Sequence, residues 1–281
     1  MPSLPDIMTP NAAELAKQDG GAGGHAPAPD ADQDALVEFL LRMGDNALIL
    51  GHRNSEWCGH GPQLEEDIAV SNIALDLIGQ AAMWLELAGA VEGQGRSADD
   101  LAYLRDVWDF RNVKLVERPN GDFGATLMRQ FLFDAFHFHQ LRGLVASSDA
   151  RVSEIAAKAL KEVSYHLERS AGQVIALGDG TGESRGRMQA ALEDQWSYAL
   201  ELFASDGTDR NMAEAGIAPD PAELRGLWDE TVGAVMAEAT LEIPDSDFAH
   251  QGGKQGTHTE HLGYILAEMQ FLQRAYPGAE W

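Results

Sequence analysis

The chain has 281 residues, with 20 lysines and arginines against 45 aspartates and glutamates, a formal net charge of −25. That balance excludes a nucleic-acid backbone or an anionic membrane surface as partner, because both are held by clustered Lys and Arg. The single cysteine, Cys58, excludes an intramolecular disulfide and any multi-cysteine zinc or iron–sulfur site.

Residues 1–31 contain Pro2, Pro5, Pro10, Pro27 and Pro29, the cluster Gly20, Gly21, Gly23 and Gly24, and no aromatic residue. This composition predicts a disordered N-terminal tail. It has no Lys/Arg-led apolar leader, and no unbroken apolar run of about 18 residues follows, so the expected location is the cytoplasm, without a membrane span.

From Asp32 to Trp281 the pattern is helical and predicts one domain. In the second helix Val70, Ala74, Leu77, Ala81, Trp84 and Ala88 recur at spacings of three and four, one apolar stripe whose small members admit a close neighbour. Ser97 with Asp100 starts a short helix. Lys114 to Glu117 carries the only strand-like alternation. The helical period returns over 123–147, 151–178, 183–204, 221–242 and 257–275. Asp220, Pro221 and Glu223 form a start signal, Thr257 with Glu260 predicts a capping box, and Pro277-Gly278 is a stop. A helix over 151–178 would be about 42 Å long. The expected fold is all-α, a long-helix bundle of four long helices with additional short ones at one end.

A bundle of this size raises the question of a di-metal centre, which takes Glu from two helices and Glu-x-x-His from two others. No glutamate in the chain is followed by histidine three places on. With Asp allowed, Asp134/His137 and Asp247/His250 appear, about as often as chance supplies them, and Asp247 follows Pro244 in an apparent loop. Glu162/His166 is a four-spaced pair on a long helix and completes at most a partial ligand set beside Asp134/His137. The favoured reading of these four is a hydrogen-bonded polar core. G-x-S-x-G, P-loop and strand-associated G-x-G-x-x-G signatures are absent. Cys58, within Glu56-Trp57-Cys58-Gly59-His60, reads as part of a packed turn. Gly252, Gly253, Lys254 and Gly256 precede His258 and His261. A basic glycine loop entering a helix can hold an anion, but one lysine is a weak signal, and a flexible connection is the default.

Several strings together resemble one family. They are Met43-Gly44-Asp45-Asn46, Glu56 to His60, Asn72-Ile73-Ala74-Leu75-Asp76-Leu77-Ile78-Gly79-Gln80, Glu117-Arg118-Pro119-Asn120-Gly121, Lys161-Glu162 with Tyr165-His166-Leu167, and the stretch from Gly252 to Trp281. From about Leu36 onward the chain is similar to the structural C subunits of multicomponent phenylacetyl-CoA 1,2-epoxidases.

The resemblance implies a ferritin-like subunit with no catalytic residue, metal or other cofactor of its own. Its implied partners are a catalytic A subunit carrying di-iron, a small bridging B subunit, and a reductase with flavin and an iron–sulfur cluster fed by NADPH. Isolated, the chain is expected to self-associate. Laying the second-helix string over the partner's Glu-x-x-His puts Leu77 at the Glu position and Gln80 at the His position. Asp134, His137, Glu162 and His166 then read as remnants of a lost di-metal site. Lys254, His258 and Arg274 stand as candidate anion or partner contacts. Two other readings stay open: a ferritin-like metalloenzyme using Asp134, His137, Glu162 and His166, and a homo-oligomeric interaction protein acting alone.

Overall fold

Asp32 opens the first helix by accepting the N–H groups of Asp34 and Ala35, which have no partner inside the helix. A computed structural model describes residues 32–279, so the tail predicted for 1–31 lies outside the described residues. Helix α1 spans Gln33–Ser55 and α2 spans Leu64–Glu92. They pack antiparallel over their length. Approach is close because a Cβ on Gly44 would sit 2.6 Å from Leu85 Cδ2, and one on Gly51 3.0 Å from Ile78 Cγ1. The predicted α2 stripe, Val70 to Ala88, is buried in this contact. Gly93, at φ 70°, ends α2 in the left-handed conformation that glycine takes without a Cβ clash.

A second antiparallel pair lies alongside. Helix α5 (Phe123–Leu144) is capped by Asp122 and α6 (Ala150–Gly178) by Asp149. Contacts between α2 and α6 join the two pairs into the expected four-long-helix bundle. Helices α7 (Gly182–Ala199) and α9 (Arg225–Glu238) pack on α5 and α6. One contiguous core runs from Leu36 to Leu266, with Trp84, Trp228, Phe131 and Phe133 fully buried in it. The short helices are α3 (Ala98–Tyr103), α4 (Lys114–Glu117), α8 (Gly207–Glu214), α10 (Glu260–Met269) and α11 (Phe271–Ala275). Ser97 and Asp100 start α3 as expected, and they do so through a capping box.

Three expectations are corrected. Lys114 to Glu117 is a helical turn, not a strand, with the Lys114 N–H held by the Glu201 carboxylate. Thr257 and Glu260 do not form a capping box. The last pair of helices begins at Glu260 with Thr259 as N-cap, because the Thr259 N–H is taken by Glu117 and the preceding residues are drawn out over α4. The stretch 221–242 opens as a 3-10 turn, Pro221–Leu224, capped by Asp220, and leaves helix after Glu238. By length and composition alone α2 is apolar enough to cross a membrane. Asn72, Asp76 and Gln80 interrupt it, so a search for unbroken apolar runs misses this property.

Candidate functional site

The bundle interior holds a chain of polar side chains from all four long helices. Asn54 on α1 donates to Gln130 on α5 (2.7 Å), and Gln130 donates to Asp134 Oδ1 one turn further on (2.6 Å). Ser170 on α6 donates to the other oxygen, Asp134 Oδ2, at 2.8 Å. Nearby, His166 Nε2 lies 3.0 Å from Asp76 Oδ2 of α2, and Gln80 Nε2 donates to Glu162 Oε2 across 2.9 Å. Asp134, Gln80 and His166 are wholly buried, and His137 nearly so.

Burial sets the protonation of this group. Desolvation pushes the Asp134 carboxyl up to about 6, against the pull of nearby His166 and of its Ser170 and Gln130 donors. Desolvation, with His166 adding to it, pushes His137 down to about 3, so its ring is neutral. His137 Nδ1, His166 Nδ1 and Gln80 Oε1 are buried without a hydrogen-bond partner.

The di-iron pattern is a poor match to these residues. Among the described residues no three His, Cys, Asp or Glu side chains converge as a metal set. Both Asp134 oxygens and Glu162 Oε2 accept from amides or a hydroxyl within the fold. Leu77 packs toward α1, its Cβ 3.3 Å from where a Gly51 Cβ would stand. On α2 it is Asp76, with Gln80, that reaches α6. Asp76, Gln130, Ser170 and Asn54 are not apparent as site residues in the sequence. The i, i+4 spacing of Asp76/Gln80 and Gln130/Asp134 is the signal that could have found them.

The other candidates lie elsewhere. Lys254 is buried, and its ammonium donates to Ala204 O (2.8 Å) and Asp209 Oδ2 (3.0 Å). His258 sits between Glu117 Oε2 and the Phe110 carbonyl, 3.0 Å from each. Glu117 also accepts from Asn112 and Thr259 N, and Glu201 accepts from Lys114 N and Gly253 N. The connection expected to be flexible is therefore pinned to α4 and α8. Arg274 spreads its guanidinium over Asp106 and the carbonyls of Tyr103, Leu104 and Arg105. It borders a groove of about 480 Å³ lined by Val107, Leu266 and Phe271. Asp247/His250 lies in an extended segment, where His250 stacks on Tyr198 at 4.0 Å. His60 Nδ1 bonds the Cys58 carbonyl, so the ring is oriented by backbone.

Residues 22–281 match the family model described as phenylacetic acid catabolic protein, PaaA_PaaC. The chain is also 47% identical over 246 residues to the C subunit of the 1,2-phenylacetyl-CoA epoxidase of Escherichia coli (strain K12), a match covering 88% of this chain and 99% of that protein.

Proposed function

This chain belongs to the phenylacetic acid catabolic protein family, and from that premise we propose that it is a non-catalytic, cytoplasmic subunit of a phenylacetyl-CoA epoxidase. In this reading it supports a separate catalytic subunit that carries the di-iron centre. A small bridging subunit and a flavin and iron–sulfur reductase complete the assembly. The observation that carries the reading is the interior network. Where a bundle of this type would place metal-binding carboxylates and imidazoles, this chain has Gln80 on Glu162 and Gln130 and Ser170 on Asp134. Neutral amide and hydroxyl donors serve folding and are weak substitutes for imidazole or carboxylate ligands. Iron therefore does not fit this interior, and no reaction step runs through it.

The chain's charge agrees with this division of labour. A formal net charge of −25 repels the phosphates of a coenzyme A thioester. The deciding experiment is reconstitution of epoxidation from purified subunits with and without this chain, alongside iron analysis of the chain alone. The expected result is loss of activity on omission and no stoichiometric iron. About two irons per chain, with peroxide-dependent absorbance, would establish the metalloenzyme reading instead.

A further inference from the structure

Helix α10 buries one side, Leu262, Ile265 and Leu266, against the bundle. Its opposite side runs on into α11 and reads Glu260, Tyr264, Glu268, then Phe271 and Leu272, at helical spacings of three and four. All five are exposed, Tyr264 by 67% and Phe271 by 59%. A surface helix ordinarily turns such side chains inward, but the inward side of α10 is already filled.

Other apolar groups adjoin this face. The 3-10 turn Val107–Asp109 packs on α10 and carries Trp108, which is 73% exposed. Val107 and Phe271 line the groove of about 480 Å³, and exposed Leu104 and Tyr276 line a second of about 210 Å³ beside it. The frame beneath is fixed. Arg274 donates to the carbonyls of Tyr103, Leu104 and Arg105, and buried Gln270 donates to those of Ala102 and Arg105. Arg274 therefore has no guanidinium edge left for an anion in the groove. A surface held in place this way loses little freedom when a partner covers it.

Size and charge narrow what that partner is. Six side chains of about 200 Å² each, roughly three-fifths exposed, leave about 700 Å² open. The largest apolar patch on an ordinary monomer is about 300–600 Å², and one side of a standard protein interface is about 800 Å². The rim is acidic. Asp99, Asp109, Glu260 and Glu268 are exposed and stand in no ion pair among the described residues. The cations at this end, Arg96, Arg105, Arg111 and Arg274, are each taken by a carboxylate: Glu92, Asp45, Glu38 and Asp106. A second copy of this face or an anionic membrane would bring like charge. Residues 1–31 carry Asp6, Glu14, Asp19 and Asp30 against Lys17 alone, so they match the rim no better.

We infer that this aromatic, acid-rimmed end of the bundle docks a basic segment of a different subunit, which seats an apolar side chain between Val107 and Phe271. Aromatic anchors supply the affinity of such a contact, and the complementary rim supplies its selectivity and speed. The inference rests on the proposed reading of the chain as part of a multi-subunit assembly.

Photo-crosslinking in the complex reconstituted from this full chain and the purified catalytic, bridging and reductase subunits tests it. Tyr264→benzoylphenylalanine and Phe271→benzoylphenylalanine should each give a cross-link to another subunit, mapping to a segment that bears Lys or Arg. Phe248→benzoylphenylalanine, 64% exposed on the extended segment, should give none. Phe271→Glu should weaken capture of the cross-linked subunit about thirtyfold with an unchanged melting transition. Glu268→Lys should weaken it about tenfold at low salt and flatten the salt dependence that the wild type shows. Cross-links only to a second copy or to residues 1–31, no cross-link in a complex that sediments intact, or capture indifferent to both substitutions would overturn the inference while leaving the subunit reading in place. Failure of the wild type to form any complex would overturn both.

Discussion

Gln80 on α2 donates to Glu162 on α6 across 2.9 Å, fixing a carboxylate with an amide in the middle of the bundle. The bond is one of several that tie the two helix pairs together, beside Asn54 with Gln130, His166 with Asp76, and Arg169 and Gln173 with Glu66. The side chains around it decide how the protein responds to acid and whether its interior takes part in chemistry.

Asp134 and His137 should give opposite pH dependences. The carboxyl is raised from 3.8 to about 6 and the imidazole lowered from 6.5 to about 3. Between about pH 4 and 6 the folded chain keeps the Asp134 proton that the unfolded chain has lost, so this group lowers stability as pH rises. Over the same range the unfolded chain protonates His137 and the folded chain does not, so this group raises stability as pH rises. The two oppose each other in the wild type. Asp134→Asn should leave a steep loss of stability on acidification from about pH 6.5. His137→Leu should leave a decline from pH 4 to 6 and a plateau above, each up to about 3 kcal/mol. Denaturant titrations of the two variants across that interval are the check, and parallel curves would refute the assignment.

Glu117 should act as the clasp of the C-terminal segment. It is fully buried and accepts from Asn112, His258 and Thr259 N. Glu117→Ala removes the acceptor of His258 Nδ1 and of the Thr259 N–H and leaves Asn112 with the Val113 carbonyl alone, a cost of about 3 kcal/mol. Hydrogen exchange should quicken over 253–262 while α5 and α6 keep their protection. Uniform loss of protection would instead mean that the clasp is part of the global core.

The bundle is legible in the sequence because its long helices carry strong periodicity and explicit caps. Val70 to Ala88, Ser97 with Asp100, and Asp220 before Pro221 are all readable locally. What escapes is decided at long range. Lys254 and His258 sit in a glycine-rich stretch whose local signal is flexibility, yet their carboxylate partners, Asp209 and Glu117, lie 45 and 141 residues away. Lys114 to Glu117 alternates like a strand, but four residues are too few for periodicity to outweigh a tertiary acceptor such as Glu201. The interior site is half legible. Asp134, His137, Glu162 and His166 stand out as titratable residues at helical spacing. Their neutral partners Gln130, Ser170 and Asn54 do not, because a search for ligands passes over amides and hydroxyls.

Two glycines should respond in opposite ways to alanine. At Gly44 the new Cβ would lie 2.6 Å from Leu85 Cδ2, inside the α1–α2 contact. Gly44→Ala should destabilise by about 1–3 kcal/mol through overpacking. At Gly79 the Cβ meets nothing within 4 Å, so Gly79→Ala should stabilise the helix by up to about 1 kcal/mol. Urea melts at a concentration low enough to keep the chain monomeric separate the two. A destabilised Gly79→Ala monomer would mean that the helix packs there inside the chain.

Turnover in the proposed assembly should be insensitive to the interior charges. If this chain supports a catalytic partner and does no redox chemistry, its buried titratable groups matter only through folding. Asp134→Asn, Glu162→Gln and His166→Gln keep volume and most hydrogen-bonding capacity while removing charge or basicity. Each should shift the melting temperature, since Asp134 and His166 are wholly buried and Glu162 holds Gln80. Once assembled with the catalytic subunit, each variant should turn over within a few-fold of wild type, because in the proposed reading the bonds are made in the partner. Omitting the chain should abolish activity, and adding back either the wild type or a variant should restore it. Substitution and omission thus separate chemical participation from support. Should a variant assemble normally yet lose a hundredfold in rate, about 2.7 kcal/mol in barrier, this interior would belong to the reaction after all.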